Sequence, residues 1–259
     1  MTTTRETGAG MLLDDRNAII YGGGGSVGGA MARAFAAQGA KVFLAGRTPA
    51  SLDKVAGAIR EAGGRAETAV LDAMDEAAVD AHAAAVGRID ISVNVISTYD
   101  VQGTPLAEMN VDDYLSPVAK PLRSQFLTTR AAARHMIPRK SGVILFFGGE
   151  GDKAANRMHN LGGLLAGFAA VEALRRQLAA ELGGHGIRVV TLATSGIAET
   201  LPDDLPEAEQ IRAAITATTL LGRAATLDDV GNAAVFAASD WARTITGASI
   251  NVSCGAFLD

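Results

Sequence analysis

Short runs of apolar residues alternate along this chain with longer stretches whose apolar positions recur at helical spacing. The runs Ala18 to Tyr21, Lys41 to Ala45, Ala66 to Leu71, Ile89 to Ile96, Gly142 to Phe147, Ile187 to Ala193 and Ala248 to Val252 have the length of buried strands. Between them, alanine-rich patterns predict helices over Val27 to Gln38, Pro49 to Glu61, Glu76 to Val86, Val111 to Met136, Leu161 to Leu182 and Leu227 to Ala238. Strict alternation of this kind implies right-handed crossovers and a doubly wound parallel sheet with helices on both faces, the α/β class, in a single domain over residues 14–259. Met1 to Leu13 is polar and glycine-containing and reads as a loose tail. Glu199 to Leu221, with Pro202 and Pro206, breaks the alternation as a loop followed by a short helix, a candidate lid over a ligand site.

The first strand runs directly into glycine. Gly22, Gly23, Gly24, Gly25, Gly28 and Gly29 are six of eight consecutive residues, and the chain from Ala30 onward reads as helix. Gly23, Gly25 and Gly28 match G-x-G-x-x-G in the strand-to-helix context that gives the pattern its meaning. A turn without side chains lets a ligand approach the backbone, and the helix start offers N–H groups and partial positive charge to a phosphate. About twenty residues on, a dinucleotide site specific for NAD carries a carboxylate for the ribose hydroxyls. Here that neighbourhood is Leu44-Ala45-Gly46-Arg47-Thr48. Without the carboxylate a 2′-phosphate is not repelled, and Arg47 can pair with it through two parallel hydrogen bonds, which favours NADP over NAD.

Charge and cysteine content narrow the partners. The net charge of −5 and pI near 5.4 give no overall attraction to nucleic acid or to an anionic membrane, which leaves small molecules or other subunits. No stretch approaches the roughly twenty apolar residues of a membrane span, and the start of the chain lacks a signal-peptide pattern. Cys254 is the single cysteine, so no internal disulfide can form and a reducing cytoplasm is the expected location. The residue itself reads as a small apolar group near the last strand.

The order of elements and the local motifs resemble the short-chain dehydrogenase/reductase family from Leu13 to Asp259. The likeness rests on Tyr21 to Gly28 against T-G-x-x-x-G-x-G, on Asp72-Ala73 after the third strand and on Ile89 to Asn94. It continues through Glu181-Leu182, Gly186 to Val190, Gly196, Thr200, Gly222 to Val230 and Ile245 to Ala248. The resemblance implies a seven-stranded sheet and a homo-oligomer, a tetramer or dimer. It also implies a dinucleotide held by Gly22, Gly24, Gly25, Ser26, Val27 and Gly28, with Asp72 and Ala73 at the adenine and Asn94, Gly196 and Thr200 supporting the cofactor.

The chain also departs from the family pattern. Ser26 stands where the middle glycine is usual, Asn94-Val95-Ile96-Ser97 replaces N-N-A-G, and Ser195-Gly196 replaces P-G. Reductases of the family work with Asn, Ser, Tyr and Lys. Counting along the matched motifs, these positions fall on Pro121, near Gly149, on Leu164 and on Phe168. The enoyl-reductase spacing places its tyrosine at about Leu161, which does not restore it. Residues i and i+4 share a helix face, so Leu164 and Phe168 present an apolar surface where a phenol and an ammonium usually sit. A positioned general acid is worth roughly a hundred- to ten-thousand-fold in rate, so ordinary carbonyl reduction by the family's route is not expected. The replacement candidates are His159, in the polar stretch after the fifth strand, and Tyr99, after the fourth. There is no metal-spaced His/Cys cluster, no G-x-S-x-G and no Walker loop. Three functions fit these residues. One is an NADP(H)-dependent oxidoreductase with non-standard proton transfer, and another a binding or structural subunit without chemistry, paired with an active relative. The third is a non-redox lyase or cyclase that uses the apolar cleft.

Overall fold

The computed structural model describes residues 10–97, 100–149, 160–202 and 204–258. The seven strands are β1 (Asn17–Tyr21), β2 (Lys41–Gly46), β3 (Arg65–Val70), β4 (Ile91–Asn94), β5 (Gly142–Gly148), β6 (Ile187–Ala193) and β7 (Ser249–Asn251). They form one sheet in the order β3-β2-β1-β4-β5-β6-β7, and every neighbouring pair is parallel. The helices are α1 (Ser26–Ala37), α2 (Pro49–Glu61), α3 (Glu76–Val86), α4 (Val111–Met136), α5 (Leu164–Leu182), α6 (Ala208–Ala217) and α7 (Leu227–Ala238). The expected doubly wound single domain is what the chain adopts.

Each strand divides its side chains between two cores, because successive residues point to opposite faces. Ile20, Val42, Leu44, Val93, Leu145, Val190 and Leu192 pack with Met31, Phe35, Leu52, Val230 and Ala234 of α1, α2 and α7. Ile19, Tyr21, Phe43, Ile144, Phe146 and Val189 pack with Val79, Ala132, Met136 and Val171 of α3, α4 and α5. Strand order reverses at β1, which lies between β2 and β4, and the crevice at this switch point is where open α/β sheets bind ligands.

Three expectations shift. Leu13, assigned to the loose tail, is fully buried in the first core, and its N–H donates to Gln38 O (2.9 Å). β3 is half-exposed rather than covered on both faces, because it is the sheet edge and pairs only with β2. α5 starts at Leu164, three residues later than Leu161, because Asn160 and Gly162 take positive φ (64° and 58°), which ends any helical path before them.

Candidate active site

The glycine turn is shaped by contacts that leave no room for side chains. Gly22 has φ +84°, and a Cβ there would stand 3.0 Å from the carbonyl carbon and oxygen of Val95 beyond β4. The N–H groups of Gly22 and Gly23 donate to Ala45 O (2.8 and 3.2 Å), which ties the turn to β2. At Gly28, one turn into α1, a Cβ would lie 2.3 Å from Gly22 O, so helix and turn meet backbone to backbone. Gly25 is the N-cap of α1 and no side chain caps this helix end. Gly25 and Ser26 are exposed and Val27 is half-buried, so the first-turn N–H groups face the carboxyl edge of the sheet.

The other cofactor candidates stand along the same edge. Arg47 is exposed just beyond β2. Asp72 is exposed after β3, and its carboxylate accepts from Met74 N–H (2.9 Å), so the backbone turns there before Asp75 caps α3. Ala73 beside it is buried.

Asn94 has a different place from a ligand contact. It is buried, and its amide group donates to Ser124 Oγ (3.3 Å) and Thr128 Oγ1 (3.1 Å) of α4. Its side-chain oxygen accepts from Ile96 N–H (3.1 Å), and its backbone oxygen from Gln125 Nε2 (3.1 Å). All of this fastens the end of β4 to α4. The sequence pattern did not reveal the partners Ser124, Gln125 and Thr128, since their link to Asn94 spans some thirty residues.

The lid segment is anchored at several points. Gly196 follows β6, and a Cβ on it would meet Ile215 Cδ1 of α6 at 2.8 Å, so α6 lies directly over this residue. Thr200, exposed in a short 3-10 helix (Ala198–Thr200), donates its hydroxyl to Ile197 O (2.8 Å). The Glu199 carboxylate accepts from Leu227 N–H at the start of α7 (2.6 Å), and Leu221 N–H donates to Cys254 O (3.1 Å). Thr226 and Asp229 cap α7 reciprocally, and Arg223 beside Asp229 (2.6 Å), with the Thr226 amide, holds that carboxyl down at about 2. Cys254 is half-buried behind this region, with φ 56°.

On the opposite wall, Phe168 of α5 covers the end of β5. Its ring carbons come within 3.5 Å of a Cβ built on Gly148 and 3.2 Å of one built on Gly149. Leu164, one turn earlier on the same face, is half-buried like Phe168. Gly163 and Gly167 press α5 against α4, where a Cβ would stand 1.9 Å from Tyr114 O and 2.2 Å from Pro117 O respectively. Pro121 has no N–H, so the Pro117 carbonyl lacks its donor from four residues later, and the Gly167 backbone takes up that space. Deeper along α5, Arg175 donates to Glu172 (2.9 Å through Nε, 2.8 Å through Nη2) and Thr191 of β6 donates to the other oxygen of Glu172, a buried network that sequence reading missed. His159 and Tyr99 lie outside the described residues. Among the described residues no group of three or more His, Cys, Asp or Glu could hold a metal ion. No helix among them is long and apolar enough to cross a membrane.

A parallel doubly wound sheet with a glycine-lined strand-to-helix turn at its switch point defines a dinucleotide-binding fold. The comparisons give the particular family. Residues 23–256 match the family described as enoyl-(acyl carrier protein) reductase, and the chain belongs to the short-chain dehydrogenases/reductases. It is 31% identical over 253 residues to a galactitol 2-dehydrogenase (L-tagatose-forming) of Cereibacter sphaeroides, covering 94% of this chain and 95% of that one. It is 30% identical over 256 residues to a meso-2,3-butanediol dehydrogenase of Serratia marcescens, covering 95% and 96%. Among solved structures, that of gox2181 superposes with a TM-score of 0.84 at 30% identity, covering 94% of this chain and 96% of that one. A short-chain type dehydrogenase/reductase from Mycobacterium ulcerans gives 0.85 at 25%, covering 94% and 90%.

Proposed function

We propose that the protein is an NADP(H)-binding oxidoreductase of small molecules whose proton transfer departs from the family's usual route. The turn fits a dinucleotide: Gly25 and Ser26 are exposed, no side chain caps α1, and Gly28 lets the helix sit against Gly22. The first-turn N–H groups would hold the pyrophosphate, Asp72 and Ala73 would border the adenine, and Arg47 would pair with a 2′-phosphate. Asn94 acts at one remove by holding the end of β4 against α4. When bound, the nicotinamide supplies or accepts a hydride. Ile215 over Gly196 and Phe168 over Gly148 and Gly149 would border the place of transfer.

The observation that carries the departure is Phe168 over the end of β5, with Leu164 one turn earlier on α5 and Pro121 on α4. Relatives named as polyol dehydrogenases support an oxidoreductase of small molecules. Yet a chain with no phenol and ammonium at these positions suits a substrate that needs little acid assistance, such as an activated double bond. His159 and Tyr99 are the titratable groups proposed to serve where a proton is required. The reading as a cofactor-binding subunit without chemistry draws on the Phe168 ring over Gly148 and Gly149, which fills space beside β5. We further propose assembly as a homo-oligomer.

The test is a fluorescence titration with NADPH and NADH, followed by a panel of carbonyl and activated-alkene substrates read by NADPH consumption. Tighter NADPH binding that Arg47→Ala abolishes is expected, with carbonyl turnover far below about ten per second. Equal affinities for the two cofactors, or a preference unchanged in Arg47→Ala, would refute the NADP assignment. Efficient turnover of ordinary ketones would refute the altered chemistry, and no turnover of any alkene would favour the subunit.

A further inference from the structure

Arg175 of α5 is 3% exposed, and one nitrogen of its guanidinium, Nη1, is buried with no hydrogen-bond partner among the described residues. Its Nε and Nη2 both donate to Glu172 Oε2, while Thr191 of β6 donates to Glu172 Oε1. The Ser249 hydroxyl on β7 is likewise buried and without a partner among these residues. Thr191 and Ser249 are register neighbours in the parallel pair of β6 and β7. Ile250 packs on the first core, so Ser249 turns to the opposite face, where Thr191 reaches Glu172 of α5. Level along the sheet follows from one contact: a Cβ on Gly247 would lie 3.7 Å from Ala179 Cβ of α5. The helix crosses over between the parallel strands β5 and β6 and therefore runs antiparallel to them. From the Gly247 contact, Arg175 lies about 6 Å back along α5 and Ser249 about 7 Å on along β7, both toward the carboxyl edge. The two unpaired groups stand at one level between α5 and β7.

From this placement we infer that Arg175 Nη1 and Ser249 Oγ bind one buried water molecule that links α5 to β7. Neither atom has the other as its partner, so more than a hydrogen-bond length separates them, and a water reaches both across about 5–6 Å. A guanidinium only donates, so the water accepts from Nη1 and gives a hydrogen to the serine oxygen. These two partners are the least that a buried water needs. Charge decides for a neutral ligand. Glu172 already matches Arg175 at 2.8 Å, so an anion would stand beside that carboxylate and a cation beside the guanidinium. Burial decides against a group from another chain, because both atoms are closed off from solvent by this chain itself. Leaving the two unpaired would cost more than holding the water, since a buried donor or acceptor without a partner loses its full hydration. The link matters most for β7, which is three residues long and pairs only with β6.

Two measurements on the full-length chain test this. A high-resolution crystal structure should show one ordered water within about 3 Å of both Arg175 Nη1 and Ser249 Oγ. An empty gap, a protein group bonded to either atom, or a direct bond between the two would overturn the inference. The second measurement is urea unfolding of the wild type, Ser249→Ala, Arg175→Lys and the double variant. Lysine keeps the charge beside Glu172 but has no second arm toward β7. Ser249→Ala should raise the unfolding constant of the wild type roughly three- to tenfold, the range for one lost hydrogen bond, and that of Arg175→Lys less than twofold, because the bridge is already broken there. If Ser249→Ala has no effect on the wild type, or if the two fold-changes simply multiply in the double variant, the atoms do not share a ligand and the inference fails. Should Arg175→Lys not fold, the crystal structure together with Ser249→Ala in the wild type still decides.

Discussion

Gly28→Ala and Gly29→Ala together test whether the glycine turn is held by backbone contact or merely tolerates glycine. Both residues lie inside α1, so each replacement gains about 1 kcal/mol of helix propensity, and on that ground alone both should stabilise the protein. Their surroundings differ. A Cβ on Gly29 meets Val55 Cγ2 at 3.1 Å and Arg33 Nη1 at 3.3 Å, side-chain atoms that can give way by a few tenths of an ångström. A Cβ on Gly28 meets Gly22 O at 2.3 Å and Gly22 C at 2.9 Å, and Gly22 is itself fixed by its bond to Ala45 and its contact with Val95. Overpacking against an immobile neighbour costs about 3 kcal/mol, so the net loss for Gly28→Ala is about 2 kcal/mol, while Gly29→Ala stays within about 0.5 kcal/mol of wild type or above it. Urea unfolding of the three proteins measures this directly, and NADPH titration should show a large loss of affinity in Gly28→Ala only. Equal stabilities for the two variants would refute the claim that the turn and helix are locked through Gly28.

Two further outcomes follow from the remaining geometry. Asp90, buried before β4, accepts from Asn17 N–H (2.9 Å), Arg88 Nε (3.2 Å) and Arg139 Nη2 (2.5 Å), and these partners hold its carboxyl below the usual range although burial alone would raise it. Asp90→Asn should cost about 2 kcal/mol at neutral pH, less than a fully buried pair because Arg88 and Arg139 reach water. The depressed value makes this contribution complete above about pH 4 and lost as pH falls through the folded-state value, so the gap between the two proteins should close in acid, and a constant gap in denaturation series would contradict it. Gly167→Ala should destabilise by about 2 kcal/mol, since its Cβ would lie 2.2 Å from Pro117 O, and a neutral result in the same unfolding assay would mean that α4 and α5 are not in backbone contact.

The sheet was legible because its signal is local. Unbroken apolar runs with a glycine break mark β1 and β2 well, and all seven strands occur where such runs stand. Boundaries were less legible: β4 spans Ile91 to Asn94, although the backbone of Asp90 still bonds to Asn17 and Val143 and that of Val95 to Tyr21, and beyond Asn94 its side chain accepts from Ile96 N–H. The turn of the candidate site could be read from spacing, since glycines must recur where backbone meets backbone. Its outer layer could not, because Asn94 with Ser124 and Thr128, or Glu172 with Thr191, are partners brought together by the crossovers and leave no periodic trace. Nor does sequence show that the buried Ser195 hydroxyl has no hydrogen-bond partner among the described residues, since that depends on every neighbour at once.

The rotation of α5 about its axis follows from Gly163 and Gly167, because any side chain at either position would collide with the carbonyls of Tyr114 and Pro117. With those two glycines turned toward α4, the residues one position further on, Leu164 and Phe168, lie about 100° around the helix, and Phe168 comes to rest over Gly148 and Gly149. Their identity alone therefore decides what chemistry α5 presents beside β5. The glycine turn and Asp72 are placed by β1, β2 and β3 instead, through the bonds of Gly22 and Gly23 to Ala45 and of Met74 to Asp72, and Arg47 follows β2. We propose that the hold on the adenosine half of a dinucleotide and the proton-transfer chemistry thus depend on separate halves of the sheet. A chain with an apolar pair at 164 and 168 can keep the first in full while the second is set by how much proton assistance its substrate demands.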